Sequence, residues 1–229
     1  MVTRSLRILL QARSSSTRLP GKVLMPIAGI PIVLLAAYRA SRSGGDLVVV
    51  TSAEETDDEL ARVIEAAHLQ CFRGPLNDVL LRFVMATEDL NDDDLCIRIT
   101  SDNVVPDAAF LELLEEAMLK NDVEYLSSMD FAGPPLSHGL SAEIFTVRAL
   151  RRANADALLD FQREHVTPLI RERRGPITIS RPPEANPRHN LFPCTIDTAE
   201  EYLRMSKMFD LVEDPIREPW FSLMSKLAN

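Results

Sequence analysis

Three short runs of continuously apolar, largely branched residues set the limits on what this chain can fold into. They are Leu6-Arg7-Ile8-Leu9-Leu10, Leu47-Val48-Val49-Val50-Thr51 and Leu95-Cys96-Ile97-Arg98-Ile99-Thr100. A strand with one wet face alternates apolar and polar residues. These runs do not alternate, so each reads as a strand covered on both faces, the habit of parallel sheets. Helical patterns lie between and after them, over Pro31–Arg42, Thr56–Ala67, Asn77–Asp89 and Asp107–Lys120. In the second of these, Leu60, Val63, Ile64 and Ala67 share a face. The rhythm predicts an α/β three-layer sandwich: a mostly parallel sheet with helices on both sides.

After Tyr125 the pattern loosens. Gly133-Pro134-Pro135 reads as a loop, Ala142–Val147 as a strand, Leu150–Leu159 and Gln162–Arg171 as helices and Ile177–Ser180 as a short strand. Pro182–Pro193 is a proline-rich loop, and Thr195-Ile196 is a short strand ending at Asp197, with a helix from about Thr198. Residues 1–229 are therefore expected to form one domain, with 133–193 as an insertion that covers the site or meets another subunit.

The first strand runs into Gln11-Ala12-Arg13-Ser14-Ser15-Ser16-Thr17-Arg18-Leu19-Pro20-Gly21-Lys22, a turn holding three cations, four hydroxyls and a Gly. Arg13, Arg18 and Lys22 can neutralise phosphate charge, while hydroxyls and backbone N–H groups donate hydrogen bonds. No Asp or Glu precedes Asp46, although the net charge is −9. A basic opening in an acidic chain predicts a local anion site, not a polyanion surface. The spacing fits neither G-x-x-x-x-G-K-[ST] nor G-x-G-x-x-G. The acidic balance and few aromatics argue against nucleic-acid binding. No apolar run approaches the roughly 20 residues of a membrane span. Cys71, Cys96 and Cys194 are too far apart for a Cys-x-x-Cys site, and the chain is expected to be cytoplasmic.

Asp102 stands just beyond the Leu95–Thr100 strand. Read from the residues alone, it suits a hard cation equally as well as the cap of a turn. Thr198 and Glu201 make a capping box, which leaves Asp197 unexplained.

The stretch from Gln11 to Leu24 resembles the signature QARxxSTRLPGKVL of the cytidylyltransferases that activate acidic sugars, among them the CMP-Kdo and CMP-sialate synthetases. The likeness is greatest to the spore coat polysaccharide biosynthesis protein F branch. It runs from Leu6 to about Phe209, through Arg98–Asn103 (family R-[IV]-T-G-D-x, with Ser101 here for Gly), Thr195–Glu201 (T-[VI]-D-T-x-E-[DE]), His138–Phe145 (D-G-L-D-V-E-[VI]-F) and Arg163–Pro168 (REHVTP).

The resemblance implies a fold of the nucleotide-diphospho-sugar transferase type and transfer of CMP from CTP to a small acidic sugar-like acceptor. It implies Mg²⁺ held by Asp102 and Asp197, and catalytic roles for Arg13, Arg18, Lys22 and Asp102. Nucleotide contacts would come from Gln11, Ala12, Arg13, Ser16, Thr17, Lys22 and Ser101, with cytosine read by Ser52, Arg73 and Gly74. The acceptor would meet His138, Ser141, Glu143, Arg163 and His165, where His138 and Ser141 stand in place of the branch's carboxylates. For His165 a helix-packing role is the alternative. Two rivals remain: a sugar-1-phosphate nucleotidyltransferase or glycosyltransferase on the same fold, and a non-catalytic nucleotide-binding protein. The tail from Glu213 matches no pattern. Its Trp220 and Phe221 read as an exposed apolar pair for docking a second subunit, giving a possible homodimer.

Overall fold

A computed structural model describes residues 4–41, 46–186 and 193–227. Arg42, at the end of the first expected helix, and residues 187–192 of the proline-rich loop lie outside them. Strands β1 (Leu6–Gln11), β4 (Asp46–Ser52), β5 (Gln70–Gly74), β6 (Leu95–Thr100), β7 (Tyr125–Ser127) and β8 (Glu143–Thr146) form one sheet, ordered β5-β4-β1-β6-β8-β7. β1 pairs in parallel with β4 on one side and β6 on the other. A two-stranded ribbon, β2 (Pro26–Ile27) and β3 (Ile30–Pro31), stands apart.

The chain grows outward from β1 through β4 to β5, then returns to β1's other side with β6. The connections that leave β1 and β6 therefore diverge at neighbouring strand ends. Open α/β sheets hold ligands at such a crevice. The basic loop follows β1 and Asp102 follows β6, so both lie at this switch point.

Successive side chains of β1 serve opposite faces. Ile8 and Leu10 pack in the layer of α1 (Ile32–Ala40), α2 (Asp58–Ala66), α4 (Ala108–Asn121), α8 (Ala199–Phe209) and α9 (Trp220–Leu227). Leu9 packs in the layer of α3 (Val79–Met85) and α5 (Val147–Asp156). The expected three layers are observed, with helix ends within a few residues of the sequence pattern.

The second half differs from expectation. The segment 133–193, read as an insertion, supplies β8, which lies within the sheet and pairs antiparallel with both β6 and β7. The helix expected over Gln162–Arg171 is two short helices, α6 (Asp160–His165) and α7 (Pro168–Arg173). Ile177–Ser180 and Thr195-Ile196 are not ladder strands. Each contributes a single bridge, Phe131 to Ile179 and Asn103 to Thr195. Among the described residues, no helix is long and apolar enough to cross a membrane.

The tail is also corrected. Trp220 is buried, its ring 5.5 Å from Phe110 and edge-on. Asp107 explains why: its carboxylate caps α4 at the Phe110 N–H and accepts the Trp220 N–H at 2.8 Å. Arg39, fully buried, donates to the carbonyls of Val105, Pro215 and Glu218 at 2.7 to 2.9 Å. A buried guanidinium bonded through its two terminal nitrogens to carbonyls of both segments fastens α9 to the body. Phe221 alone of the pair stays partly exposed. Trp220→Ala is accordingly expected to destabilise the chain by about 3–5 kcal/mol, as for other large core truncations, read as a lower midpoint in urea unfolding. A variant as stable as the parent would mean that the tail does not form part of the core.

Candidate functional site

The loop after β1 is held from both ends. Gly21 sits in the left-handed region at φ +69°, and its N–H donates to the Ser14 carbonyl at 3.0 Å, closing the loop. Glycine reaches that conformation without steric cost. The Ser14 N–H in turn donates to the Asp57 carboxylate at 2.7 Å. Asp57 is fully buried and also accepts from the N–H and hydroxyl of Ser52, so a single carboxylate joins the loops after β1 and β4. Burial alone would raise the Asp57 carboxyl, but the Ser52 and Ser14 hydrogen bonds outweigh it and hold the group below its ordinary value. Asp57 was hidden in the acidic run Glu54–Glu59, which looks like a solvated helix start.

Lys22 follows Gly21 and opens a short 3₁₀ turn, Lys22–Leu24. Its side chain is only 8% exposed, and its Nζ donates to Asp102 Oδ2 at 2.9 Å, Asp197 Oδ1 at 2.8 Å and the Ile196 carbonyl at 2.7 Å. The ammonium's three donors are thus all engaged. The outer oxygens are engaged as well. Thr100 Oγ1 donates to Asp102 Oδ1 at 2.6 Å, and Arg18, mostly exposed, reaches Asp197 Oδ2 at 2.8 Å. Burial pushes the Asp197 carboxyl up, yet Lys22 and Arg18 overcome it and hold the group low.

Asp102 and Asp197 were expected to hold one cation, with Asp197 at the end of a strand. They do converge, but by another route. The Ile196 N–H donates to the Asp102 carbonyl at 3.0 Å, and Asn103 bridges Thr195 in antiparallel sense. Gly139, at φ +99°, lets the loop before β8 pack closely against this segment. A Cβ there would lie 2.5 Å from the Thr195 nitrogen, which no side chain tolerates. The capping box is present as read, with Glu201 accepting the Asp197 and Thr198 N–H groups, and it anchors Asp197 at the start of α8.

Around this cluster lies a cavity of about 270 Å³. Gln11, Ala12, Arg13, Ser16, Thr17, Arg18 and Lys22 line it from the loop, Ser101 and Asp102 from β6's end, and Asp197 from the far side. Arg82 of α3 also lines it and was not singled out from the sequence. Buried, it donates to the Pro75 and Leu76 carbonyls, and burial lowers its affinity for its proton. Gly74 leaves room for its stem, since a Cβ would stand 2.8 Å from Arg82 Cγ.

A second cavity, of about 350 Å³, adjoins the first. The antiparallel β8 makes it, by setting Glu143 opposite Arg98 in register and bringing the preceding loop, with His138 and Ser141, to the same sheet edge. Glu143 accepts from Arg98 at 2.6 Å, Tyr125 Oη at 2.6 Å and Thr167 Oγ1 at 2.7 Å. Burial would raise its carboxyl, but Arg98 first, and then the hydroxyls, hold it down. Burial and Glu143 push the Tyr125 phenol up. An outward-alternating surface Glu does not describe this residue. Phe161, His165 and Arg171 complete the lining.

Four expected site residues line neither cavity. Ser52 is buried against Asp57. Arg73 donates to the Ser52 and Glu54 carbonyls and pairs with Asp58 at 2.6 Å. Gly74 faces the Arg82 stem. Arg163 is corrected from an acceptor contact to a clamp, bonded to Asp78 at 2.9 Å, Asn154 at 3.1 Å and the Ala157 carbonyl at 3.0 Å, which ties α6 to the starts of α3 and the α5–α6 turn.

The cytidylyltransferase family model matches residues 7–227. An uncharacterized protein of Methanocaldococcus jannaschii is 34% identical over 217 residues, 92% of this chain and 86% of that protein. The spore coat polysaccharide biosynthesis protein SpsF of Bacillus subtilis is 31% identical over 212 residues, 88% of this chain and 85% of that one. Among solved structures, a cytidylyltransferase from Leptospira borgpetersenii superposes with a TM-score of 0.86 at 26% identity, over 97% of this chain and 93% of that one. Matched over nearly its whole length, and sharing that fold, the chain belongs to the cytidylyltransferase family.

Proposed function

We propose that this chain transfers the cytidylyl group of CTP to a small acidic, sugar-like acceptor, releasing pyrophosphate, in surface polysaccharide or glycoconjugate biosynthesis. The carrying observation is the Lys22 ammonium clamped between Asp102 and Asp197 at the edge of a cation-lined cavity on the sheet's switch point. Arg13, Arg18, Lys22 and Arg82 offer the first cavity four cations, which suits a triphosphate. The second cavity, with His138, His165 and Arg171 on its walls and Glu143 neutralised by Arg98, suits an acid beside it. The names of two relatives agree in kind: SpsF, and a 3-deoxy-manno-octulosonate cytidylyltransferase of Photobacterium profundum that is 28% identical over 157 residues.

Mg²⁺ fits the donor set. Two carboxylates bond one ammonium, so their oxygens lie within the combined length of those two bonds. Among the described residues no third acidic, imidazole or thiol group joins them. Such a sparse all-oxygen set suits Mg²⁺, which keeps waters and takes phosphate oxygens at about 2.1 Å. Held by Asp102 and Asp197, it would supply positive charge to the phosphates and so lower their repulsion of an anionic acceptor.

The chain's own residues do the remainder. The loop's hydroxyls and backbone orient the phosphates. Lys22, held by both carboxylates, is preorganised near the reacting phosphate, and Arg13 and Arg18 balance charge on the departing pyrophosphate. The chemistry is positioning and neutralisation, as in other phosphoryl transfers.

Three outcomes test this reading. CTP with Mg²⁺ should raise Tm more than ATP, GTP or UTP, because a ligand of the native state stabilises it by mass action. Equal shifts with all four would remove the cytidine assignment, and a larger shift with UTP would favour the sugar-1-phosphate rival. In a pyrophosphate-release assay with 3-deoxy-manno-octulosonate and a panel of other keto-sugar acids and phosphonate acids, Lys22→Met should lower turnover at least about 100-fold, equivalent to roughly 3 kcal/mol of barrier. A variant of near-parent activity would show Lys22 to be a structural cation only. Asp102→Asn and Asp197→Asn should each abolish Mg²⁺-dependent turnover while keeping a cooperative melt; Mg²⁺-dependent turnover surviving in both would refute the shared site.

A further inference from the structure

His165 stands where the two cavities meet. Among the described residues, only Arg98, Thr100 and His165 line both. Arg98 is held by Gln11 and Glu143, and Thr100 Oγ1 donates to Asp102. The exposed His165 ring makes no hydrogen bond or ion pair among the described residues; its one close ring partner is Phe161, at 4.7 Å between centroids.

The backbone beside it is strained. Val166, fully buried, has φ +66° and ψ −56°, and the Thr167 N–H donates to the His165 carbonyl at 2.7 Å. This is a γ-turn of the rare hand, and a β-branched residue with positive φ is an outlier. Its surroundings enforce it: Val166 is packed in the core, Thr167 is bonded to Glu143 and Arg163 is clamped to Asp78. Strain of this kind gathers at functional sites. Here its effect is to end α6 abruptly, with the last side chain, His165, at the cavity junction.

We propose that His165 is the general base of the transfer, an inference that rests on the cytidylyltransferase reading above. A neutral ring nitrogen takes the proton of the acceptor hydroxyl. The oxygen's electron pair forms the bond to the α-phosphorus of CTP. The bond from that phosphorus to the bridging oxygen breaks, and its pair leaves with pyrophosphate. A neutral imidazole nitrogen carries the lone pair that this step needs.

The charged groups facing His165 come from several elements. On the nucleotide side they are Arg13, Arg18 and Lys22 of the loop, Arg82 of α3, and Asp102 and Asp197; on the acceptor side, Arg98 of β6, Glu143 of β8, Arg171 of α7 and the titratable His138. Glu164 is its own neighbour on α6.

The test is the pH dependence of kcat/KM for the acceptor, which reports ionisation in the free enzyme. Pyrophosphate release from CTP is followed with whichever acid of the panel, 3-deoxy-manno-octulosonate included, reacts fastest. For the parent, log(kcat/KM) should rise with unit slope to a plateau as pH is raised through the ionisation of one group. His165→Gln and His165→Asn, each first shown to melt cooperatively and to respond to CTP, should lose about 100-fold or more in kcat together with that rising limb. Variants that keep the limb, or that change KM with kcat intact, overturn the inference and leave His165 as an acceptor-binding residue. A parent that releases no pyrophosphate with any acid of the panel overturns the cytidylyl-transfer reading itself, and this proposal with it.

Discussion

A buried ammonium with a carboxylate on either side organises this molecule's functional edge. Lys22 arrives from the loop after β1, Asp102 from the end of β6 and Asp197 from a segment about a hundred residues further on. Each is a costly thing to take out of water alone. Together they satisfy one another, with further bonds from Thr100 to Asp102, from Arg18 to Asp197 and from Lys22 to the Ile196 carbonyl. The loop cannot be displaced without uncovering two like charges, nor can α8's first turn move without freeing the lysine. The shape of the loop after β1 is therefore a property of three separate parts of the chain.

A second constraint comes from one reversed strand. Were β8 parallel to β6, its leading end would lie at the opposite edge, and Glu143 could not stand beside Arg98 at the mouth of the crevice. Reversal places the start of β8, and the loop before it, where β6 ends. Both cavities thus share an edge, with Arg98 and Thr100 as the wall between them.

Much of this could be read from the chain. The runs LVVVT and LCIRIT became β4 and β6 because continuous apolar strands need cover on both faces, and the basic loop directly after β1 read as a local anion site. The capping box at Thr198 and Glu201 is local, so its spacing suffices. What could not be read was non-local. The direction of β8 depends on pairing with strands far away in sequence. Thr195-Ile196 has a strand's composition but only one bridging partner. Trp220 looked exposed because its covering residues, Phe110 and Asp107, are more than a hundred positions distant. Arg73 and Arg163 looked like ligand-seeking cations, but Asp58 and Asp78 hold them. Asp57 and Arg82 carried no signal, since an acidic run and an amphipathic helix hide single buried charges equally well.

The sheet order also divides the molecule's inheritance. The first cavity draws almost wholly on residues 11–102, the second almost wholly on 98–171, and β6 belongs to both. Within residues 125–171, Gly139 apart, side chains can change in size, charge and hydrogen bonding without touching the Ser14–Asp57 and Lys22 contacts that shape the loop. A lineage can thus change what occupies one chamber while the other stays as it was.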